Sequence, residues 1–220
     1  MNNLVLITSI IKTPNIPLSY TSTRSVFRHD ERFNQTKKTI QTIRGKIPNS
    51  KILIVECSEL DNEQDEYFKN NCDIFLNLYE NETFRNNIYS ASKALGEGTM
   101  TINAIEYIKS NNIEYDNFFK ITGRYWLSEN FNYHNFINTD IIIHNINENE
   151  TATTLYKLNK MNINNFYEFL IQNMNLMHRC VGYEILFAMF LNLPKENKVI
   201  HLNKIGVNGY ISVSNDFVDN

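Results

Sequence analysis

Four short apolar runs, separated by stretches of helical period, dominate the first 125 residues and leave few folds open. Residues 4–11 are a nearly unbroken series of β-branched and Leu side chains, the pattern of a strand buried on both faces. Pro14 and Pro17 end it and begin an irregular loop. Residues 32–47 put Phe33, Thr36, Ile40, Ile43 and Ile47 on one helical face, and Pro48 is the stop. Residues 51–55 read as a second buried strand, 61–69 as a polar surface helix and 74–78 as a short third strand. After a loop, residues 98–109 form a helix with Met100, Ile102, Ala104, Ile105 and Ile108 apolar, and 118–122 form the fourth strand. Strand and helix alternating roughly every dozen residues predict an α/β fold with a mostly parallel, doubly wound sheet flanked by helices.

Beyond residue 130 the pattern changes. Residues 141–144 and 153–157 flank a polar Asn147-Glu148-Asn149-Glu150 and read as an antiparallel hairpin. Residues 164–177 and 182–191 read as helices parted near Arg179, with 199–202 and 210–213 as final short strands. No repeat, low-complexity linker or composition shift marks a boundary, so one domain over 1–220 is expected.

Composition excludes several classes. With 42% hydrophobic and 12% aromatic residues the chain can bury a sizeable core, unlike a disordered segment. A net charge of −3 and a pI near 6.0 lack the basic excess of a general nucleic-acid binder. Cys57, Cys72 and Cys180 form no CxxC pair, which fits a reducing compartment better than a disulfide framework or zinc site. No signal peptide or transmembrane segment is read, and a cytoplasmic location is expected. Walker, GxGxxG, HExxH and GxSxG motifs do not occur.

The chemistry gathers at strand ends. Residues 115–127 read as a buried strand broken at Gly123 and followed by Arg124, Tyr125 and Trp126. Such a strand end opens onto the crevice where α/β sheets bind ligands. Lys120 and Arg124 there suit phosphate oxygens, which a guanidinium grips with a rigid fork of donors. Upstream, Ser92-Lys93-Ala94-Leu95-Gly96-Glu97-Gly98-Thr99 reads as a loop entering a helix, where glycine allows a ligand close to the backbone. Two such loops predict a nucleoside-diphosphate site.

Four segments carry a family resemblance: residues 31–36, 54–58 (Ile54-Val55-Glu56-Cys57-Ser58), 92–98 and 120–127. Together they resemble the GT-A-fold nucleotide-sugar glycosyltransferases, especially small enzymes of large DNA viruses (chlorella-virus and giant-virus type) and of bacterial surface-polysaccharide loci. The resemblance implies transfer of a hexose or deoxyhexose from a UDP- or GDP-sugar to a hydroxyl of a glycan or glycoprotein. It implies a nucleotide-sugar half over about residues 1–130 and an acceptor half over about 131–220. The family usually holds Mn2+ or Mg2+ with an Asp-x-Asp motif after the fourth strand, but here Gly123-Arg124-Tyr125 stands there, with no carboxylate until Glu129. Either Arg124 replaces the metal as a fixed cation, or a carboxylate from elsewhere supplies it.

Site candidates each have a structural alternative. On the donor side Thr8 and Ser9 would seat the nucleobase, or merely end a strand, and Glu56 would accept from base or ribose, or sit in a solvated turn. Arg24, with Arg28 and Arg32, would face the phosphates from the first loop, although Arg32 also fits a solvated helix start. Lys93, Gly96 and Gly98 would approach the diphosphate and sugar. Lys120, in a buried strand, either pairs with a carboxylate such as Glu97 or reaches ligand. Arg124 and Tyr125 complete this side. Trp126, Tyr156 and His178 are the acceptor candidates, with core packing as the alternative for the aromatics and a structural role for the histidine. Glu184 would be the catalytic base that an inverting family member needs, or a partner of its helix dipole. Two rival functions remain: a sugar nucleotidyltransferase, against which the glycine-free segment after the first strand counts, and a catalytically silent nucleotide-sugar-binding module.

Overall fold

The computed structural model describes residues 1–193 and 198–220. Its first half runs β1 (Asn3–Ser9), α1 (His29–Lys46), β2 (Ser50–Glu56), α2 (Asn62–Asn71), β3 (Ile74–Asn77), α3 (Glu82–Tyr89), α4 (Lys93–Ser110) and β4 (Asn117–Thr122). Next come β5 (Tyr125–Leu127), β6 (Ile141–Ile143), β7 (Asn145–Asn147), β8 (Glu150–Thr151) and β9 (Leu155–Asn159). The remaining elements are α5 (Lys160–Gln172), α6 (Met174–His178), α7 (Tyr183–Leu191), β10 (Val199–His201), β11 (Val207–Tyr210) and β12 (Phe217–Asp219).

Seven strands form the central sheet in the order β10-β6-β9-β4-β1-β2-β3. β1 pairs in parallel with both β2 and β4, and β2 with β3, as the continuous apolar runs require of strands covered on both faces. β9 alone runs antiparallel, between β4 and β6. Alternation along β1 sends Leu4 and Leu6 to the face covered by α3 to α7, and Val5 and Ile7 to the face covered by α1 and α2. The expected hairpin is the β6–β9 pair, with the small β7–β8 ribbon inserted between its strands.

Several boundaries differ from those expected. α1 begins at His29, because Glu31 accepts from the Arg28 backbone N–H at 2.8 Å and closes the first turn. α3 has no counterpart in the sequence reading; Asn81 caps it by accepting from the Phe84 N–H at 3.1 Å. The supposed Gly-rich loop at 93–98 is helical, since Ser92 caps α4 through the Leu95 N–H. Residues 207–210, rather than 210–213, form a strand, which pairs with β5 and β12 in a separate three-stranded sheet. Among the described residues no helix is long and apolar enough to cross a membrane.

Candidate functional site

The sheet reverses direction between β4 and β9, and beside that reversal the carboxyl ends of β1 and β4 open into a cavity of about 680 Å³. Thr8, Ser9 and Thr122 form its floor, the first turns of α4 and α7 one wall, and residues of the loop after β1 another. The third wall comes from the far end of the sequence, through Ile211, Ser212, Val213 and Val218. Hydrogen bonds hold these remote segments together: the Val26 N–H donates to Ser212 O at 2.8 Å, and Ser212 Oγ to Arg24 O at 3.2 Å.

Two lysine–carboxylate pairs meet on the α4 side. Lys93 Nζ lies 3.4 Å from Glu184 Oε1, joining α4 to α7, and Thr153 Oγ1 donates to the same oxygen at 3.3 Å. Burial opposes ionisation of Glu184, but the Lys93 ammonium, the backbone N–H and Lys120 outweigh it and hold the carboxyl below its ordinary range. Glu184 raises the Lys93 pKa in turn, against the cost of burial. Deeper, Lys120 is wholly buried and pairs with Glu97, while donating to Thr122 Oγ1 and Thr153 O at 2.8 Å each. Burial lowers the Lys120 pKa, and the Glu97 carboxylate opposes that shift. Glu97 also accepts from Thr8 Oγ1 at 2.9 Å and lines the cavity.

The opposite side carries guanidinium groups. Arg124 follows β4 and lines the cavity; among the described residues its side chain makes no hydrogen bond or ion pair, and its buried Nε has no partner. Its contact with protein is the Tyr125 ring, 5.8 Å from Cζ. Arg32, expected as a solvated helix start, is only 4% exposed and lines the same cavity. It donates to Ile10 O at 2.7 Å and to Ser25 and Ser212 hydroxyls at 3.2 and 3.1 Å. Arg24 also lines the cavity, but its guanidinium is spent on the carbonyls of Ile88, Tyr89 and Ser90, which closes the carboxyl end of α3.

The structure thus brings Thr8, Ser9, Arg24, Lys93, Gly96, Arg124, Tyr125 and Glu184 to one cavity. It removes others. Glu56 is fully buried, accepting from the Ile11 and Cys57 N–H groups at 3.0 Å and from Ser58 Oγ at 2.6 Å, so it fastens the turn after β1. Lys120 lies beneath the wall, behind Glu97. Gly98 faces Met177, where a Cβ would stand 2.3 Å from Sδ, so helix packing accounts for it. Gly96 lets α4 approach α3, a Cβ there being 3.0 Å from Ile88 O. Trp126 lies outside the cavity, under Lys38 Nζ at 3.6 Å and beside Tyr210. Tyr156 is core, packed on Phe187 with centroids 4.5 Å apart, and His178 is exposed at the end of α6. Arg28 is at the surface, paired with Asp30. The sequence reading named Arg32 for the phosphates but favoured a solvated helix start for it, and saw Glu97 only as a counter-ion; an Arg one helical turn before the core-facing Thr36 was the available signal.

Among the described residues no group of three His, Cys, Asp or Glu could hold a metal ion, and both carboxylates in the cavity wall are paired with lysines. A divalent cation held by one of these carboxylates and a ligand's phosphates would first have to displace a lysine. Cys57 and Cys72 are free, with thiols pushed up to about 12 by burial, which leaves them protonated at neutral pH.

No family model and no curated protein matches this sequence. Solved structures do. The CTP:phosphocholine cytidylyltransferase LicC of Streptococcus pneumoniae aligns over 98% of this chain and 96% of its own, at TM-score 0.54 and 11% identity. The nucleoside-diphosphate-sugar pyrophosphorylase of Vibrio cholerae RC9 aligns over 93% of both chains, at TM-score 0.52 and 9% identity. The fold is GT-A-like. The apo-form glycosyltransferase GlyE of Streptococcus pneumoniae TIGR4 shares it at TM-score 0.51 and 8% identity, over 91% of this chain but only 45% of GlyE. At these identities the likeness is one of fold.

Proposed function

We propose that this protein is a glycosyltransferase that moves a sugar from a nucleoside diphosphate, UDP or GDP, to a hydroxyl of a glycan or glycoprotein. The observation that carries the reading is one cavity with an unpartnered guanidinium, Arg124, on one side and a cavity-facing carboxylate, Glu184, on the other. The acceptor oxygen would attack the anomeric carbon and give its proton to Glu184. The bond from that carbon to the diphosphate would break, and the nucleoside diphosphate would leave with the electron pair, stabilised by Arg124. Held ionised by Lys93, Glu184 is available as a proton acceptor at neutral pH, though a weak one. A donor phosphate that drew Lys93 away would strengthen it as a base. About residues 1–130 would then serve the donor and 131–220 the acceptor.

A sugar nucleotidyltransferase is the second reading, favoured by the near end-to-end alignment with LicC and the Vibrio cholerae pyrophosphorylase. There a sugar phosphate would attack a nucleoside triphosphate and expel pyrophosphate. The glycine-free segment from Ile10 to Arg28 speaks against it, because a triphosphate is usually cradled by glycine-rich backbone.

One assay separates the readings. The protein is offered UDP- and GDP-sugars with mixed glycan acceptors, and in parallel nucleoside triphosphates with sugar 1-phosphates. Acceptor-dependent release of nucleoside diphosphate supports the first, pyrophosphate release the second, and donor binding without either product a silent module. In the first case Glu184→Gln keeps donor affinity and lowers transfer by about a hundredfold or more, as loss of a general base does. Normal turnover by that variant removes Glu184 from the chemistry.

A further inference from the structure

Arg32 and Arg124 line the same end of the cavity, neither in an ion pair with a carboxylate among the described residues, and we infer that together they form a diphosphate seat that works without a divalent cation. The inference deepens the nucleotide-sugar reading and rests on it for the ligand's identity.

Three neutral oxygens orient Arg32, namely Ile10 O, Ser25 Oγ and Ser212 Oγ, and none neutralises it. Glu56, the carboxylate whose charge it feels, is itself driven toward its neutral form by burial. Among the described residues Arg124 makes no hydrogen bond or ion pair and rests against the Tyr125 ring. The two guanidiniums are near enough that Arg124 helps lower the Arg32 pKa, second only to burial. Two like charges gathered in a half-closed wall are unfavourable until an anion arrives.

The cavity that both arginines line has room for one. Beside it they close, with the hydroxyl residues Thr8, Ser9 and Thr36, on a crack too tight for even a water molecule, so an anion would sit on the cavity side of the pair. Gly123 lets the end of β4 close on β1 there: a Cβ would stand 3.1 Å from Ser9 Cβ and 3.2 Å from Thr36 Oγ1. Arg32 has committed Nε and Nη1 to protein oxygens and offers Nη2, whereas Arg124, without a hydrogen bond among the described residues, offers a planar group that can grip two phosphate oxygens, so the pair can take a diphosphate where a single lysine cannot fix its geometry. The fixed positive charge of two arginines replaces what a bound divalent cation would bring to the leaving group.

Calorimetry with inorganic pyrophosphate, UDP and GDP, in EDTA and again with excess Mn2+ or Mg2+, tests the seat. Binding in EDTA is expected, with added metal changing affinity by less than about threefold, under 1 kcal/mol. Arg124→Gln should weaken it by about tenfold or more, the worth of a charge-assisted phosphate contact, with an unaltered melting temperature in the absence of ligand. Arg32→Lys, which keeps the charge but loses the anchored planar group and its Nη2, should weaken it too; should that variant fail to fold, Arg124→Gln decides alone. Pyrophosphate binding in EDTA that needs Arg124, with no binding of either nucleotide, keeps the seat and overturns the donor reading. Nucleotide binding only with metal keeps the donor reading and overturns the seat. Undiminished binding by Arg124→Gln, or no binding of any of the three in EDTA, also overturns it.

Discussion

Glu56 shows what a residue name at a strand end does and does not convey. Its position after β2 made it a ligand candidate, and only the path of residues 10–12, which fold back over it, turns its carboxylate inward. Nothing local in Glu56-Cys57-Ser58 encodes that path. Burial raises its pKa, against hydrogen bonds from Ser58 and from the Ile11 and Cys57 N–H groups. A carboxyl whose folded pKa exceeds its unfolded value contributes most stability below the ordinary carboxylate range, and that contribution falls as pH rises through the raised value. Glu56→Gln keeps an acceptor oxygen and cannot ionise. Denaturation midpoints across acid to neutral pH should therefore show variant minus wild-type stability growing with pH; a constant difference would mean the carboxyl titrates normally. Arg124 was legible for the opposite reason. A cation directly after a glycine at a buried strand's end has few places to go except the crevice.

At the scale of elements, the parallel strands were readable because burial on both faces leaves a continuous apolar run. α3 was not, because its eight residues are mostly polar and it buries only Ile88. The glycines of α4 were read as a ligand loop, yet Gly98 serves helix packing, and Gly96, which does line the cavity, also lets α4 approach α3. Gly45 in α1 provides the contrast, since a Cβ there meets nothing within 4 Å. Gly45→Ala should raise stability by up to about 1 kcal/mol, the gain in helix propensity. Gly98→Ala should lower it despite the same propensity, since overpacking at Met177 costs about 1–3 kcal/mol. Urea denaturation of both variants checks the pair, and a stabilised Gly98→Ala would show that Met177 yields freely.

For the whole molecule, the topology of the first half followed from the alternation of strand and helix, whereas the cavity's third wall did not. Residues 211–213 are distant in sequence from the loop they meet and carry no motif; the bonds between Ser212 and residues 24–32 exist only in the folded chain. Those bonds couple the two segments. Hydrogen exchange should find β1, β2 and β4 slowest, and a bound nucleoside diphosphate should slow residues 10–28 and 211–213 together. Protection of the first segment alone would show that the far wall takes no part in binding.

Because β11, β12 and Ser212 follow β9 in the chain, the cavity cannot close until they have been made. A nascent chain that has emerged through β9 already owns the strands that support Thr8 and Arg124, and it can begin to bury their apolar faces. Arg32 still lacks one of its anchoring oxygens and the cavity stands open on one side. Closure of the cavity therefore waits for residues 207–219, and any cut between β9 and β11 would leave a sheet-forming remnant unable to close its own pocket.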